Sequence, residues 1–361
     1  MPIDLRDITA RLEKGERLSA DDGARLFRGA DLLELGALAH RVRQARHGRR
    51  ATFVRNLHLN YTNVCALRCD FCGYSRPDGA PGAFTVPLDE AFARAEAAAR
   101  TGIREIHIVG GLHPDLPYGY YTDLLRGLRQ RCPGVHLKAF TAVEIDHLAA
   151  RAGRPVEAVL ADLRAAGLDS LPGGGAEVFA ERVRRRLCPR KPNADRWLAV
   201  HRAAHRLGIP STATMLYGHV ETPEERVDHL LRIRALQDET GGFTAFIPLA
   251  YQPGPGRVGG AAGPTAQDDL RAIAVARLLL DNIEHIKAYW VMLGLKLAPV
   301  ALHFGADDLD GTIEEEKIAH MAGAGSPAGV PAEALRRLIR EAGMEPVERD
   351  ARYAPVGHEP G

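Results

Sequence analysis

The sequence predicts an α/β fold, a closed (β/α)8 barrel of the TIM type, and two observations carry that expectation. From residue 56 onward, short β-like runs alternate with helix-length amphipathic segments, the pattern of parallel βαβ units. The runs number eight, at 57–62, 104–109, 135–141, 168–171, 211–217, 243–250, 285–291 and 300–304, and eight is the number that closes a barrel. An open doubly wound sheet has the same local beat with fewer strands. Its GxGxxG fingerprint is missing between the first run and the helix after it.

Before the first run, residues 3–47 are helical in pattern and Arg-rich. Ser19 with Asp22 reads as an N-cap ahead of the apolar series Leu26, Leu32, Leu35 and Leu38. The expected division is an N-terminal helical arm (1–50), the barrel (51–325), and a C-terminal helix with a loose tail (326–361), the tail being Pro- and Gly-containing from 345. Helical segments fall at 87–101, 117–130, 177–187, 193–207, 222–239 and 265–283. Several strands run out into polar or glycine-rich text: TNVC, GGLHPD (110–115), TAVE (141–144), PGGGAE (172–177), YGH (217–219), YQPGPG (251–256) and FGADD (304–308). One such loop is as easily a plain turn. Seven together mark the C-terminal face, where barrels of this kind carry their active sites.

Composition narrows the function classes. The chain has 361 residues, 47 Lys+Arg against 46 Asp+Glu, and is 45% hydrophobic and 26% charged, enough to bury a large core. A formal net charge of +1 argues against a nucleic-acid or membrane-surface protein, both of which need a basic excess. No apolar run reaches 18 residues, and the first residues, MPIDLRDITARLEKGERL, lack a signal-peptide core. The expectation is a soluble, cytoplasmic protein. Five cysteines in so long a chain do not make a disulfide framework.

Three of the five, Cys65, Cys69 and Cys72, form C-x3-C-x2-C. Thiolates this close suit a soft metal: three irons of a 4Fe–4S cluster, or one zinc with a fourth ligand such as His58. With three thiolates only, a cubane cluster keeps one iron open to an external ligand. Cys132 and Cys188 stand apart and read as inert.

C-x3-C-x-aromatic-C just after the first strand of a βα barrel resembles the signature of the radical S-adenosylmethionine (SAM) superfamily. The likeness runs over residues 50–350, through NYTNVCALRCDFCGYSR, HIVGGLHPDLP, LKAFTAVEI, SLPGGGAEVF and QDETGGFTAFIPLA, and resembles the menaquinone-pathway and deazaflavin branch. GGLHPD, KAFTAVE, ATMLYGH and HIKAYWVM are similar to the aminofutalosine synthase family in particular. The resemblance implies one 4Fe–4S cluster on Cys65, Cys69 and Cys72, with SAM chelating the open iron and consumed as co-substrate. It also implies a one-electron donor such as a flavodoxin or ferredoxin. The small-molecule substrate would be 3-[(1-carboxyvinyl)oxy]benzoate. The 5′-deoxyadenosyl radical adds to its vinyl CH2, the aryl group migrates from oxygen to carbon, and a carboxyl radical anion leaves and returns its electron to the cluster, giving aminofutalosine, methionine and bicarbonate. Two other readings stay open: a sister radical enzyme (the dehypoxanthine futalosine cyclase or a deazaflavin synthase half), and a zinc or iron–sulfur protein without catalysis.

The same resemblance assigns Gly110 and Gly111 to SAM's amino group and the Phe71 backbone to adenine. Glu144 or Glu177 would take SAM's ammonium or ribose. In the run Arg184-Arg185-Arg186, a solvated helix face is one reading, and Arg184 turned in to a carboxylate is the other. A charge at a helix N-terminus is the alternative for Glu177. Strand parity puts His285, Lys287, Tyr289 and Val291 on the interior face, with Ile286, Ala288, Trp290 and Met292 under the helices. A buried lysine needs an anion, so Lys287 faces either a substrate carboxylate or a structural partner. His58 shares a face with Asn60 and Thr62 and is either a substrate donor or a satisfied interior histidine. Lys138, at the start of its strand, falls farther from the mouth. Asp307 and Asp308 either cap a helix or polarise a ligand hydroxyl.

Overall fold

A computed structural model describes residues 4–254, 258 and 261–357. An N-terminal arm of α1 (Arg6–Glu13), α2 (Ala20–Gly29) and α3 (Leu32–His47) leads into β1 (Arg50–Val54) and β2 (Asn56–Leu59). There follow α4 (Leu88–Arg100), β3 (Glu105–Ile108), α5 (Tyr118–Arg131), β4 (His136–Ala139), α6 (Ala142–Ala152), α7 (Val156–Ala166), α8 (Glu181–Leu187) and α9 (Ala194–Arg206). The second half holds β5 (Ser211–Tyr217), α10 (Pro223–Thr240), β6 (Phe243–Ala250), α11 (Ala266–Leu279), β7 (His285–Ile286), α12 (Trp290–Ala301), β8 (Asp308–Gly311), α13 (Ile318–Met321), α14 (Ala332–Glu341) and β9 (Glu345–Glu348).

The strand pairings close a ring, all parallel. β2 pairs with β3 and β3 with β4. Lys138 bridges to Ser170, and Leu171 bridges on to Ser211 of β5. β5 pairs with β6 and β6 with β7, Lys287 bridges to Asp308 of β8, and β8 pairs with β1 while Leu57 bridges to Glu314. The eight-stranded barrel is therefore present. Reciprocal capping boxes start several of its helices, the first being the one read from the sequence. Ser19 and Asp22 form a reciprocal box on α2, and Thr222–Glu225 and Thr265–Asp268 do the same on α10 and α11, each such cap contributing about 1 kcal/mol. The arm lies on the barrel's outer layer, α3 along α11 and α2 against α10. Gly36 lets α3 approach the Phe304 ring, where a Cβ would come within 2.4 Å.

Three expectations need correction. Residues 300–304 are the end of α12 and a 3-10 turn, and the eighth strand is Asp308–Gly311. The apolar run LKLAPVALHF fits either a strand or a buried helix, whereas Asp308-Leu309-Asp310-Gly311 has none of the composition of a strand. The run 285–291 is extended only at its start, because Trp290 opens α12, with its indole N–H donating to the Gly311 carbonyl at 2.8 Å. The tail is not loose at 345: β9 pairs with β1, and the Arg349 guanidinium is buried against Asp308. Within the loop YQPGPG, Pro255 and Gly256 lie outside the described residues, as do residues 358–361. Among the described residues, no helix is long and apolar enough to cross a membrane.

Candidate active site

A cavity of about 300 Å³ opens at the C-terminal ends of the strands, the end that the sequence marks. Alternation sets its lining: His58 and Asn60 from β2 and its extension, His107 and Val109 from β3 and its extension, and Lys138 from β4 line it, while Leu57, Leu59, Ile106 and Ile108 are buried outside it. Thr212, Thr214, Ile247, Leu249, Lys287 and Tyr289 complete the ring.

Cys65, Cys69 and Cys72 line one wall, on the loop that leaves β2. Cys69 is buried, and burial pushes its thiol up to about 12. A bare thiolate is disfavoured there, and a cation held by all three sulfurs would reverse that balance. The loop is tied to the next strand's exit, where the Ala66 N–H donates to Leu112 O at 2.9 Å and the Gly111 N–H to Thr62 O at 2.7 Å. A Cβ on Gly111 would lie 2.3 Å from Val64 O, and one on Gly110 2.6 Å from the Tyr61 ring. Glycine is required at both positions by close approach of the chain to itself.

Glu144 sits at the third position of α6, not at the end of a strand. Its Oε2 accepts from the N–H and hydroxyl of Thr141, both at 2.7 Å, and its Oε1 from Tyr61 at 2.8 Å and the Gly110 N–H at 3.1 Å. Both carboxylate oxygens are thus engaged by protein donors, one of them the N–H of Gly110, and the side chain lines the cavity. Glu177 lies in the loop before α8, at φ 51°, and is ion-paired with Lys191. The Lys191 ammonium is 5.2 Å from the centroid of the Phe71 ring, so Glu177, Lys191 and Phe71 form one cluster beside the cysteines. Arg184 is not brought to the cavity. Its buried guanidinium donates to Ala176 O at 2.6 Å and to Pro192 O, clamping the PGGG loop to the segment after α8.

At the floor, His58 Nδ1 is bonded to Glu316 and its ring stacks on His107 with centroids 4.6 Å apart. Lys138 donates to Glu105 at 2.5 Å and Lys287 to Asp310 at 3.0 Å. The structural partner is thus the one Lys287 has here. Tyr289 lines the same floor with its side chain largely buried. Parity fails beyond it: Val291 is buried and Met292 faces the cavity, because both belong to α12. His285 shares the face of Lys287 but sits at the opposite end of the barrel. There it bonds Asp307 at 2.6 Å, stacks on Tyr353 with centroids 3.5 Å apart and lies beside His47. Asp307 is also paired with the buried Arg277, and Asp308 with Arg349. Both aspartates are therefore interior ion-pair partners, and neither caps a helix nor lines the cavity at the C-terminal ends of the strands.

The sequence matches the description "Radical SAM superfamily" over residues 59–233 and "CofH/MqnC C-terminal region" over 240–359. It is 49% identical to an aminodeoxyfutalosine synthase of Thermus thermophilus, covering 97% of this chain and 95% of the relative. A second, from Streptomyces coelicolor, is 45% identical over 96% and 93%. The chain belongs to the aminodeoxyfutalosine synthase family of radical SAM enzymes. A 5-amino-6-(D-ribitylamino)uracil–L-tyrosine 4-hydroxyphenyl transferase of Methanopyrus kandleri is 40% identical over 97% and 95%. Among solved structures, methylornithine synthase superposes with a TM-score of 0.76 at 17% identity, covering 94% of this chain and 97% of its own. The FeFe-hydrogenase maturase of Carboxydothermus hydrogenoformans gives 0.74 at 17%, over 97% and 80%. At that identity the likeness is one of fold.

Radical SAM enzymes use a 4Fe–4S cluster and SAM, and the donor set here fits such a cluster: three soft thiols on one wall of a cavity, with room beside them. Sequence reasoning missed Lys191, Glu316, Asp310 and His107. Glu316 and Asp310 lie past the last expected strand, where no periodicity pointed. His107 was within reach, being the alternate of Ile106 and Ile108 in a run already read as a strand.

Proposed function

We propose that this enzyme is an aminodeoxyfutalosine synthase, joining the adenosyl carbon of SAM to 3-[(1-carboxyvinyl)oxy]benzoate with aryl migration and loss of bicarbonate. The observation that carries the reading is near-full-length identity of 49% and 45% to two relatives of that name. One 4Fe–4S cluster, reduced by a flavodoxin or ferredoxin, together with SAM supplies a 5′-deoxyadenosyl radical at this site.

Cys65, Cys69 and Cys72 are the proposed cluster ligands. No described residue donates to the Gly110 carbonyl, which leaves it open to SAM's ammonium. Glu144 holds that loop in place through its bond to the Gly110 N–H. Phe71, fixed by the Lys191–Glu177 pair, offers its backbone to adenine. At the other end, Lys287 uses one donor on Asp310 and has two more for a substrate carboxylate. Tyr289 lines the same cavity floor, as does His58, oriented by Glu316. Val109, Leu216, Ile247 and Leu249 form apolar walls between the two ends, which keeps water away from the reacting carbons.

A second reading, transfer of the tyrosine 4-hydroxyphenyl group to a diaminouracil, is favoured by the 40% identity to the archaeal transferase. One experiment separates them. Reduced, cluster-loaded enzyme is given SAM labelled at the 5′ carbon, with either the enolpyruvyl ether or tyrosine plus the diaminouracil. Label in a new adenosine-containing product with the ether supports the synthase. Label recovered only in free 5′-deoxyadenosine rejects it.

A further inference from the structure

Several histidines of the barrel have a protein hydrogen-bond partner on one ring nitrogen. His58 bonds Glu316, His136 bonds Ser170 Oγ at 2.7 Å, His201 bonds Ser211 Oγ at 2.8 Å, and His229 bonds Thr214 O at 2.9 Å. His107 differs: no described residue hydrogen-bonds either of its ring nitrogens, and its ring lines the cavity. Strand register fixes where it stands. His58, His107 and Lys138 are paired across β2, β3 and β4, so the three side chains form one inward-facing row. Lys138 is drawn to Glu105, one layer deeper, and His58 is drawn to Glu316. The middle of the row is left to His107, which His58 holds flat by stacking at 4.6 Å.

The half-buried His107 ring faces the cavity without a protein partner, so its nitrogens are available to a ligand there. Burial, then the neighbouring His58 and Lys138, push its pKa down to about 3, so the ring is neutral and carries one N–H to donate. Lys287 and Tyr289 stand on the same floor, with apolar walls above. The surroundings suit a flat, apolar molecule ending in a carboxylate. We propose that His107 donates a hydrogen bond to a carboxylate of the substrate at the floor of the cavity, completing with Lys287 and Tyr289 a seat for an aromatic dianion. This rests on the synthase reading.

The test uses anaerobic, cluster-loaded His107→Phe and His107→Gln enzymes, with the ether as probe. Calorimetric Kd for the ether, KM for the ether and the rate of SAM cleavage without ether are measured. Loss of a charge-assisted bond predicts a roughly ten- to hundredfold rise in Kd and KM for His107→Phe, with ether-free SAM cleavage and iron content unchanged. His107→Gln, which keeps a donor, should recover part of the affinity. Wild-type ether affinity in the Phe variant overturns the proposal. So does a parallel loss of iron, melting temperature and ether binding that Gln does not relieve. If the unmodified enzyme neither binds nor converts the ether, the synthase reading itself falls, and the His107 proposal falls with it.

Discussion

Tyr61 donates a 2.8 Å hydrogen bond to Glu144, and the same carboxylate oxygen accepts from the Gly110 backbone at 3.1 Å. One buried carboxylate thus fastens the end of β2, the glycine loop after β3 and the first turn of α6. Burial raises its pKa from the ordinary 4.5 to about 7, against the four hydrogen bonds that favour the charged form. In the fold this carboxyl keeps its proton over a pH range where the unfolded chain gives it up. Its contribution is therefore full below pH 4.5 and lost as the pH rises through about 7. Glu144→Gln removes the titration and keeps one acceptor oxygen for the Thr141 cap. The difference in melting temperature between variant and wild type should shift in the variant's favour from pH 5 to pH 8, by an amount on the order of 3 kcal/mol in stability. Parallel melting curves across that range would count against it.

Cys65→Ala, Cys69→Ala and Cys72→Ala should each abolish iron binding and SAM cleavage. Cys132→Ala and Cys188→Ala should leave both intact, since Cys132 ends α5 and Cys188 ends α8 and neither lines the cavity. Iron and sulfide assays on anaerobically purified variants check this. Loss of the cluster from the Cys188 variant would mean that the metal site has been misread.

Lys287 and Asp310 are both buried, 3.0 Å apart. Removing one charge strands the other, at a cost of about 3–5 kcal/mol, so Lys287→Gln should melt well below wild type. Adding Asp310→Asn removes the stranded carboxylate and should restore much of the stability. If Lys287 also holds substrate, the double variant stays weak toward the ether although it is stable. Ether kinetics on that stable double variant decide whether Lys287 belongs to the site.

Gly111→Ala forces a Cβ to 2.3 Å from the Val64 carbonyl, backbone that cannot swing aside, whereas a Cβ on Gly134 meets nothing within 4 Å. The first substitution should cost about 1–3 kcal/mol or more and lower iron incorporation, because the loops joined through Gly111 carry the cysteines. The second should be close to neutral. Thermal melts and iron content of the two alanine variants provide the comparison.

The barrel and its catalytic end were legible because period-2 alternation and strand-terminal loops are local signals, as were the three closely spaced cysteines. What failed was long-range. Asp308–Gly311 is a strand because its aspartates find Arg349, Thr52 and Lys287 inside the barrel, partners that no window of sequence contains. Glu144 and Arg184 were named as ligand contacts, and in the fold their side chains bond the chain's own backbone and hydroxyls. A resemblance names positions without saying whether a ligand or the fold claims each atom. Parity was right for Lys287 and misplaced His285, since sharing a face of a strand does not mean sharing an end of the barrel.

β1 pairs on one side with β8 and on the other with β9, and both partners come from the far end of the chain. During synthesis this early strand therefore leaves the ribosome with two open edges and waits for nearly all the rest to be translated. Chains stopped before residue 345 would close the ring through β8 yet keep one β1 edge bare, a template for joining another chain. The C-terminal strand thus covers the last open edge of β1, so copies interrupted before it are expected to aggregate more readily than complete ones.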